Sequence, residues 1–197
     1  MILPTGKIEL TLRANGLLRI AGVDEAGAGA LAGPVVAAAV MLPPNHGLGV
    51  RDSKTLTGKA RDRLYDEIRE VAIGVGVGIV DATVIDKINI RQASLLAMKK
   101  ALMDLDDVEH ALVDAHEIPG VTISQTAIIK GDQKEFCIAA ASIIAKVTRD
   151  RMMLDIDAMF PQYNFKQHKG YGTLEHRQLV HQHGRCPLHR ESFTIQI

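Results

Sequence analysis

The chain has 197 residues, and its 23 basic and 23 acidic residues cancel to a formal net charge of zero. With 47% hydrophobic and 23% charged residues, the composition is typical of one globular domain, and neutrality gives no global signal for or against nucleic acid. Two cysteines, Cys137 and Cys186, are too few for a disulfide framework, so both are expected to be reduced thiols. No signal-peptide pattern occurs in residues 1–12, and no apolar run reaches the ~20 residues of a membrane span. We therefore expect a soluble, cytoplasmic protein.

Strand and helix patterns alternate along the chain, which predicts one α/β domain over residues 1–197. The first two strands are separated by a turn too short for a parallel crossover, so they must pair antiparallel and the sheet must be mixed. Thr57 is suited to cap the first predicted helix. The predicted strands are 17–23, 34–42, 71–80, 110–114 and 126–130, and the predicted helices are 58–70, 83–88, 90–105, 135–156 and 173–183.

Acidic residues follow three of these strands: Asp24 with Glu25, then Asp114, then Asp132. Each acid alone is explained as a turn former at a strand end. If the four carboxylates converge, however, they repel one another unless a cation lies between them, and Mg²⁺ prefers such oxygen ligands. The set matches two-metal phosphoryl chemistry, in which ions about 4 Å apart hold the attacking and leaving oxygens. Because neighbours on a regular strand point to opposite faces, Asp24 and Glu25 are expected to converge through a distortion near Gly27.

A glycine-rich turn, with Gly27, Gly29 and Gly33, joins the first two strands. Its spacing fails the dinucleotide-binding fingerprint, and a strand follows where that fingerprint requires a helix. Two explanations remain open: a hairpin without a ligand, and a turn whose backbone N–H groups approach an anion.

The charges are segregated although their sum is zero. Residues 101–129 contain six acids and no Lys or Arg, whereas residues 165–190 contain five cations and one acid. Lys169 beside Tyr171 suits phosphates together with a stacked sugar or base, although a solvated loop with a structural tyrosine explains the pair equally well. The histidines of this region lack zinc-finger spacing, so no zinc site is predicted.

Taken together, these motifs resemble the bacterial ribonuclease HII family. The resemblance runs from about residue 17 to residue 193, and the order and spacing of the blocks make it specific. The blocks are IAGVDEAG (20–27), LAGPVVAAAV (31–40), RDSKTL (51–56), INIRQASLLAM (88–98), ALVD (111–114), KGD (130–132), AAASIIAKVTRD (139–150), FPQYNFKQHKGYGT (160–173) and HRESF (189–193).

The resemblance implies an RNase H-like α/β fold, a mixed β-sheet flanked by helices, with a C-terminal helical extension (about 160–197) that contacts substrate. It implies an endonuclease, using Mg²⁺ or Mn²⁺, that cleaves the RNA strand of RNA–DNA hybrids and the 5′ side of single ribonucleotides in duplex DNA. The sequence carries no signal of the oligomeric state, and a monomer is the simplest expectation. The products would carry 3′-hydroxyl and 5′-phosphate ends. The implied catalytic and metal-binding residues are Asp24, Glu25, Asp114 and Asp132, and the implied substrate contacts are Gly27, Ala28, Gly29, Ser53, Lys54, Lys146, Lys169 and Tyr171, of which Tyr171 senses the ribonucleotide.

Three positions depart from the usual pattern of the family. Ala28 replaces Arg, Ala30 replaces Pro, and Ala115 replaces Gly. The N–H groups of the turn remain, but a guanidinium able to pair with phosphate is lost, which bears on turnover and ribonucleotide selectivity. A weakened hybrid-binding protein of the same fold is therefore an alternative. A metabolic enzyme that binds a nucleotide phosphate at residues 27–33 is another, opposed by the missing helix.

Overall fold

The computed structural model describes residues 4–50, 53 and 56–196. The strands are β1 (Ile20–Ala26), β2 (Val35–Met41), β3 (Gly74–Val80), β4 (His110–Asp114) and β5 (Ser124–Ile128). The helices are α1 (Lys7–Ala14), α2 (Gly58–Val71), α3 (Ala82–Ile88), α4 (Ile90–Met103), α5 (Phe136–Met159), α6 (Phe165–His168) and α7 (Leu174–His183), with 3-10 turns at Gly131–Gln133 and Pro161–Tyr163.

The five strands form one mixed sheet in the order β3-β2-β1-β4-β5. β1 pairs antiparallel with β2 and parallel with β4, as the short turn between the first two strands predicted. The mixed α/β fold is therefore confirmed. This topology places β1 at the centre of the sheet, with the ends of β1 and β4 side by side.

Helices cover both faces of the sheet. Ala21 and Val23 of β1 join the core under α4, whereas Ala38 and Val40 of β2 join the core under α5. Gly22 permits α5 to approach β1 closely, because a Cβ at this position would lie 2.1 Å from the Cys137 carbonyl carbon. The core is aliphatic, in keeping with the 4% aromatic content. Cys137 and Cys186 are both buried free thiols.

Two boundaries differ from the prediction and change the position of the acids. β1 begins at Ile20 and continues through Ala26, so Asp24 and Glu25 lie inside the strand. The strand is not distorted there, because its register with β2 continues to the Ala26–Val36 pair. β5 ends at Ile128, and Asp132 lies beyond it in the Gly131–Gln133 turn. Hydrophobicity alone could not separate the strand residues from the apolar residues next to them.

The N-terminal helix α1 was not predicted, because Ile8, Leu10 and Leu12 alternate with polar residues as they would in a strand. The four-residue helix α6 was not predicted either, and the remaining helices lie close to their predicted positions. The Thr57 side chain accepts a hydrogen bond from the Ala60 N–H at 3.3 Å, which confirms this residue as the cap of α2.

The C-terminal region returns to the glycine-rich turn. Tyr171 forms an antiparallel bridge with Ala30, and His189 forms another with Ala32. Beneath these bridges, α6, α7 and the irregular segment after Gly184 share a small core built around Tyr163 and Phe165. Among the described residues, no helix has both the length and the apolar character needed to cross a membrane.

Gly22→Ala should lower the free energy of unfolding by about 3 kcal/mol, because the added methyl group meets the backbone of α5, which cannot rotate away. Gly58→Ala is the matched control: nothing lies within 4 Å of its Cβ position, and alanine at the start of α2 should add up to about 1 kcal/mol. Urea unfolding of the two variants measures both effects. Equal stability of the two variants would contradict the close packing of α5 on β1.

Candidate active site

Asp24 and Glu25 leave β1 on opposite faces of the sheet. Asp24 is 6% exposed, on the face that α5 covers, and its Oδ1 accepts a hydrogen bond from the Glu25 N–H at 2.7 Å. Burial raises the pKa of Asp24 well above its ordinary value, and the charges of Glu25 and Asp114 raise it further. A hydrogen bond from Ser142 opposes this shift. Three carboxyl groups therefore lie close enough to repel, although β1 remains regular.

Asp114 ends β4 and is linked to the turn that carries Asp132. The Gly131 N–H donates to Asp114 Oδ1 at 2.6 Å, and Asp132, the next residue, is only 4% exposed. After Asp114 the chain turns through Ala115, whose φ of 60° is a left-handed conformation that glycine adopts more easily. Ala115 thus adopts the left-handed turn in place of the glycine usual in the family, and its backbone is strained because its Cβ disfavours this conformation.

The chemistry of these donors suits a hard divalent cation. The four acids supply carboxylate oxygens only, and a cation would relieve the repulsion at Asp24. In the part of the chain that the structure describes, no three His, Cys, Asp or Glu side chains form a ready-made metal cage. Mg²⁺ commonly uses one or two carboxylates together with waters and substrate phosphate oxygens, so the arrangement fits an ion that completes its coordination with substrate.

A cavity of about 410 Å³ opens beside Glu25. It brings together most of the residues that the sequence assigned to substrate. The lining consists of Glu25, Ala26, Gly27, Ala28, Gly29, Ser53, Ser142, Lys146 and Tyr171. Lys169 is not part of it and instead borders a separate cavity of about 250 Å³ next to Arg61 and Arg151. Lys54, the remaining predicted contact, lies outside the described residues.

Ser142 was missed in the sequence, although it lies one helical turn before Lys146 on α5. Its hydroxyl is 2.9 Å from the Ser53 hydroxyl, and both side chains are buried. Ser142 therefore connects the buried Asp24 to the loop that contains Ser53. The AAASIIAK segment carried a signal for this role, because a lone serine in an otherwise apolar helix needs a polar partner.

The Tyr171 ring lies among cations. The Lys146 ammonium is 5.0 Å from the ring centroid, and the Arg149 guanidinium is 5.1 Å from it. Lys146 also forms an ion pair with Asp150 at 2.8 Å. Cation–π contact with two groups holds the ring at the wall of the cavity.

Two buried arginines hold the glycine-rich turn, and sequence reasoning missed this role for both. Arg149 donates to the carbonyls of Pro34, Ala32 and Lys169. Arg190 is 0% exposed and donates to Gly27 O at 2.7 Å, to Ala28 O at 2.9 Å and to Gly33 O. Arg190 is one of the five cations counted in residues 165–190, but its guanidinium is used on backbone carbonyls.

A second, smaller cavity of about 200 Å³ lies on the α4 side of the same acids. Glu25, Asp114 and Ala28 border it together with Arg91 and His116. Glu25 and Ala28 line both cavities, so the residue at position 28 lies between them. A longer side chain at this position would enter one of the two spaces.

Three buried histidines fix the loop that carries Tyr171. The His168 and His176 rings stack with their centroids 4.2 Å apart, and His176 Nε2 lies 3.1 Å from His189 Nε2. Each ring donates one hydrogen bond and accepts one, which defines three neutral tautomers. The hydrogen-bonded backbone groups are Tyr163 O, Gly170 N, Tyr171 O and Cys186 N.

The comparisons with known proteins agree with this fold. The model of the Ribonuclease HII family matches residues 21–196. A Ribonuclease HII of Chloroflexus aurantiacus is 50% identical over 98% of this chain and 94% of its own length. Another, from Acetivibrio thermocellus, is 52% identical over 91% of this chain and 71% of its own.

A solved structure extends the likeness to three dimensions. The PCNA:RNase HII complex from Archaeoglobus fulgidus contains a chain that superimposes with a TM-score of 0.79 at 28% identity, covering 91% of this chain and 97% of that one. The sheet, its flanking helices and the C-terminal helices are thus those of an RNase H-like endonuclease. Within that class, the chain belongs to the ribonuclease HII family.

The histidine cluster should make the fold sensitive to acid. Burial, followed by the neighbouring His168 and His189, lowers the pKa of His176 from 6.5 to about 4. Between pH 6.5 and pH 4, His176 is protonated in the unfolded chain and neutral in the folded protein. The free energy of unfolding should therefore fall as the pH falls from 6.5 toward 4.

Urea unfolding at several pH values measures this slope. His176→Asn keeps a donor for Tyr171 O but cannot titrate, so its stability should depend less on pH than that of the parent. Parallel pH profiles for the two proteins would show that His176 does not contribute.

Proposed function

We propose that this protein is a Mg²⁺- or Mn²⁺-dependent endoribonuclease that cleaves RNA in RNA–DNA hybrids and on the 5′ side of single ribonucleotides in duplex DNA. The products would carry 3′-hydroxyl and 5′-phosphate ends. The observation that carries the proposal is the position of Glu25. This residue lines a cavity together with Tyr171 and the glycine-rich turn, and its charge raises the pKa of Asp24.

Recognition of the ribose is assigned to the turn and to Tyr171. Only the 2′-hydroxyl distinguishes RNA from DNA at such a site. Backbone N–H groups at Gly27 and Gly29 need no side chain to reach it, and Gly29 has open space around its Cβ position. Arg190 holds the carbonyls of this turn from behind, which supports a preformed receptor for the sugar.

Asp24, Glu25, Asp114 and Asp132 are the proposed ligands of the cations. When bound, two divalent ions would supply activation of the attacking water and stabilisation of the leaving 3′ oxygen. Ser142 keeps Asp24 oriented through a hydrogen bond that favours its ionised form. Lys146 lies at the cavity wall, where its ammonium can contact a phosphate.

The substrate partners proposed for the chain are therefore RNA–DNA hybrid and ribonucleotide-containing duplex DNA, bound by a monomer. A cytoplasmic location is supported by its two free thiols, since structural disulfides are rare in that compartment.

Asp24→Asn should reduce cleavage of a duplex that carries one ribonucleotide by on the order of 1000-fold, because the loss of a metal-binding carboxylate removes several kcal/mol of transition-state stabilisation. Asp107→Asn is the control with the same chemical change, at a side chain that is 77% exposed and pairs with Arg19, which lies just before β1, whereas Asp24 lies near the end of that strand. Cleavage is followed on a labelled strand with Mg²⁺ or Mn²⁺. Equal rates for Asp24→Asn and the parent would refute the assignment.

The alternative of a weakened hybrid binder rests on Ala28, which contributes only a methyl group between the two cavities. Ala28→Arg should lower the KM for a hybrid on the order of 10-fold if a guanidinium there pairs with phosphate. Ala28→Met is the control for side-chain length without charge. If both variants cleave as the parent does, the missing arginine does not limit the enzyme. Hybrid binding by the parent without metal-dependent cleavage would instead favour the binding protein.

A further inference from the structure

Two buried glutamates cap each other's helices: Glu135, just before α5, accepts hydrogen bonds from the start of α1, and Glu9 of α1 accepts one from the start of α5. The N–H groups of Ile8 and Glu9 donate to the Glu135 carboxylate at 3.1 and 2.9 Å. In return, the Cys137 N–H donates to Glu9 Oε2 at 3.1 Å. Each carboxylate therefore satisfies open N–H groups at the start of the other helix, where negative charge is also favoured by the helix dipole. Glu9 is 3% exposed and Glu135 is 2% exposed.

Further contacts fasten α1 to the segment just before α5. The Thr5 and Gly6 N–H groups both donate to Lys134 O, at 3.0 and 2.8 Å. Gly6 has a φ of 63°, and a Cβ at this position would lie 2.5 Å from the Phe136 ring. At the other end of α1, Arg13 donates both to Glu9 and to Leu42 O. The helix is thus fixed at one end to β2 and at the other to residues 134–137.

The same segment carries Asp132. The Lys134 and Glu135 N–H groups both donate to Gly131 O at 2.9 Å, and the Gly131 N–H donates to Asp114. A continuous set of hydrogen bonds therefore runs from α1, through residues 131–135, to the end of β4. The position of Asp132 is sensitive to this set, because β5 has already ended at Ile128 and Lys130 adopts a φ of 56°.

The arrangement is costly if its only purpose is to cap helices. Burial raises the pKa of Glu135 and the charge of Glu9 raises it further, although the N–H groups of Glu9 and Ile8 oppose this shift and Arg13 pairs with Glu9, so two carboxylates are held together away from water. Exposed Ser, Thr or Asp caps would satisfy the same N–H groups without this cost. Carboxylates offer a bidentate acceptor instead, and Glu135 uses both oxygens on successive N–H groups of α1.

We propose that Glu9 and Glu135 are positioning residues for Asp132, and that α1 is a clamp on the turn at residues 130–135. The inference rests on the proposed function, in which Asp132 is a metal ligand. It concerns a helix that precedes residue 21, where the match to the family model begins.

The test uses the full chain with Glu135→Ala, which removes both acceptors, and the milder Glu135→Gln, which keeps one. The matched control is Ile85→Val, a loss of one methyl group in the core under α4, on the other face of the sheet. Three quantities are compared: amide hydrogen exchange of the metal-free proteins, the affinity for Mn²⁺ alone by calorimetry, and kcat and KM on a hybrid.

Glu135→Ala should raise exchange at residues 131–137 at least 10-fold, weaken Mn²⁺ binding several-fold and lower kcat, with KM unchanged once Mn²⁺ is saturating. Glu135→Gln should recover part of each effect, whereas Ile85→Val should show none of them. If Glu135→Ala does not fold, Glu9→Gln and Glu135→Gln replace it, and smaller changes in exchange, Mn²⁺ affinity and kcat are expected.

The proposal is overturned if the glutamate variants bind Mn²⁺ as tightly as Ile85→Val does, or if exchange rises in α1 while residues 131–134 stay protected. A parent protein that cleaves no hybrid would refute the proposed function separately, because the exchange and Mn²⁺ measurements do not depend on cleavage.

Discussion

The contact of the α5 backbone with β1 is the constraint on which the site depends. Gly22 lets the first turn of α5 lie against the centre of the sheet, and small residues continue this close packing along the helix. From this position α5 presents Ser142 to Asp24 and Lys146 to the cavity, and Arg149 reaches beneath the glycine-rich turn. A shift of the helix by one residue would remove all three contacts together, because they lie three or four residues apart on one face.

The glycine-rich turn illustrates how the fold compensates for a flexible segment. Glycine permits close approach to a ligand but costs more conformational entropy on folding than any other residue. Here the guanidinium of Arg190 supplies rigidity by binding the carbonyls of Gly27 and Gly33 at once. A guanidinium presents a fork of fixed N–H groups, which binds carbonyl oxygens more specifically than a lysine ammonium does. The turn is therefore ordered although residues 27–33 carry no polar side chain of their own.

Much of the architecture could be predicted from the sequence, because long apolar runs and the short first turn restrict the sheet to a mixed topology. β4 was predicted to the residue, since His110–Asp114 is bounded by polar residues at both ends. The extent of β1 and the place of Asp132 could not be predicted, because pairing with β2 and support from α1 determine them. Similarly, the sequence shows that Arg149 and Arg190 are charged, but only the structure shows that both are buried and donate their hydrogen bonds to backbone carbonyls.

The zero net charge acquires a different meaning once burial is known. Arg149 and Arg190 contribute to the formal count, yet both guanidinium groups are committed to backbone carbonyls, so few of their N–H donors remain for a phosphate. Lys146 is shared with Asp150, so the cavity wall itself is only weakly cationic. In the proposed function, attraction of a polyanion to this site therefore depends on the cations that the carboxylates would hold, since each divalent ion would add two positive charges where the protein supplies oxygen ligands. The same acids would then serve both substrate affinity and catalysis, and recognition of the sugar would rely on shape and hydrogen bonding rather than on a strong basic surface.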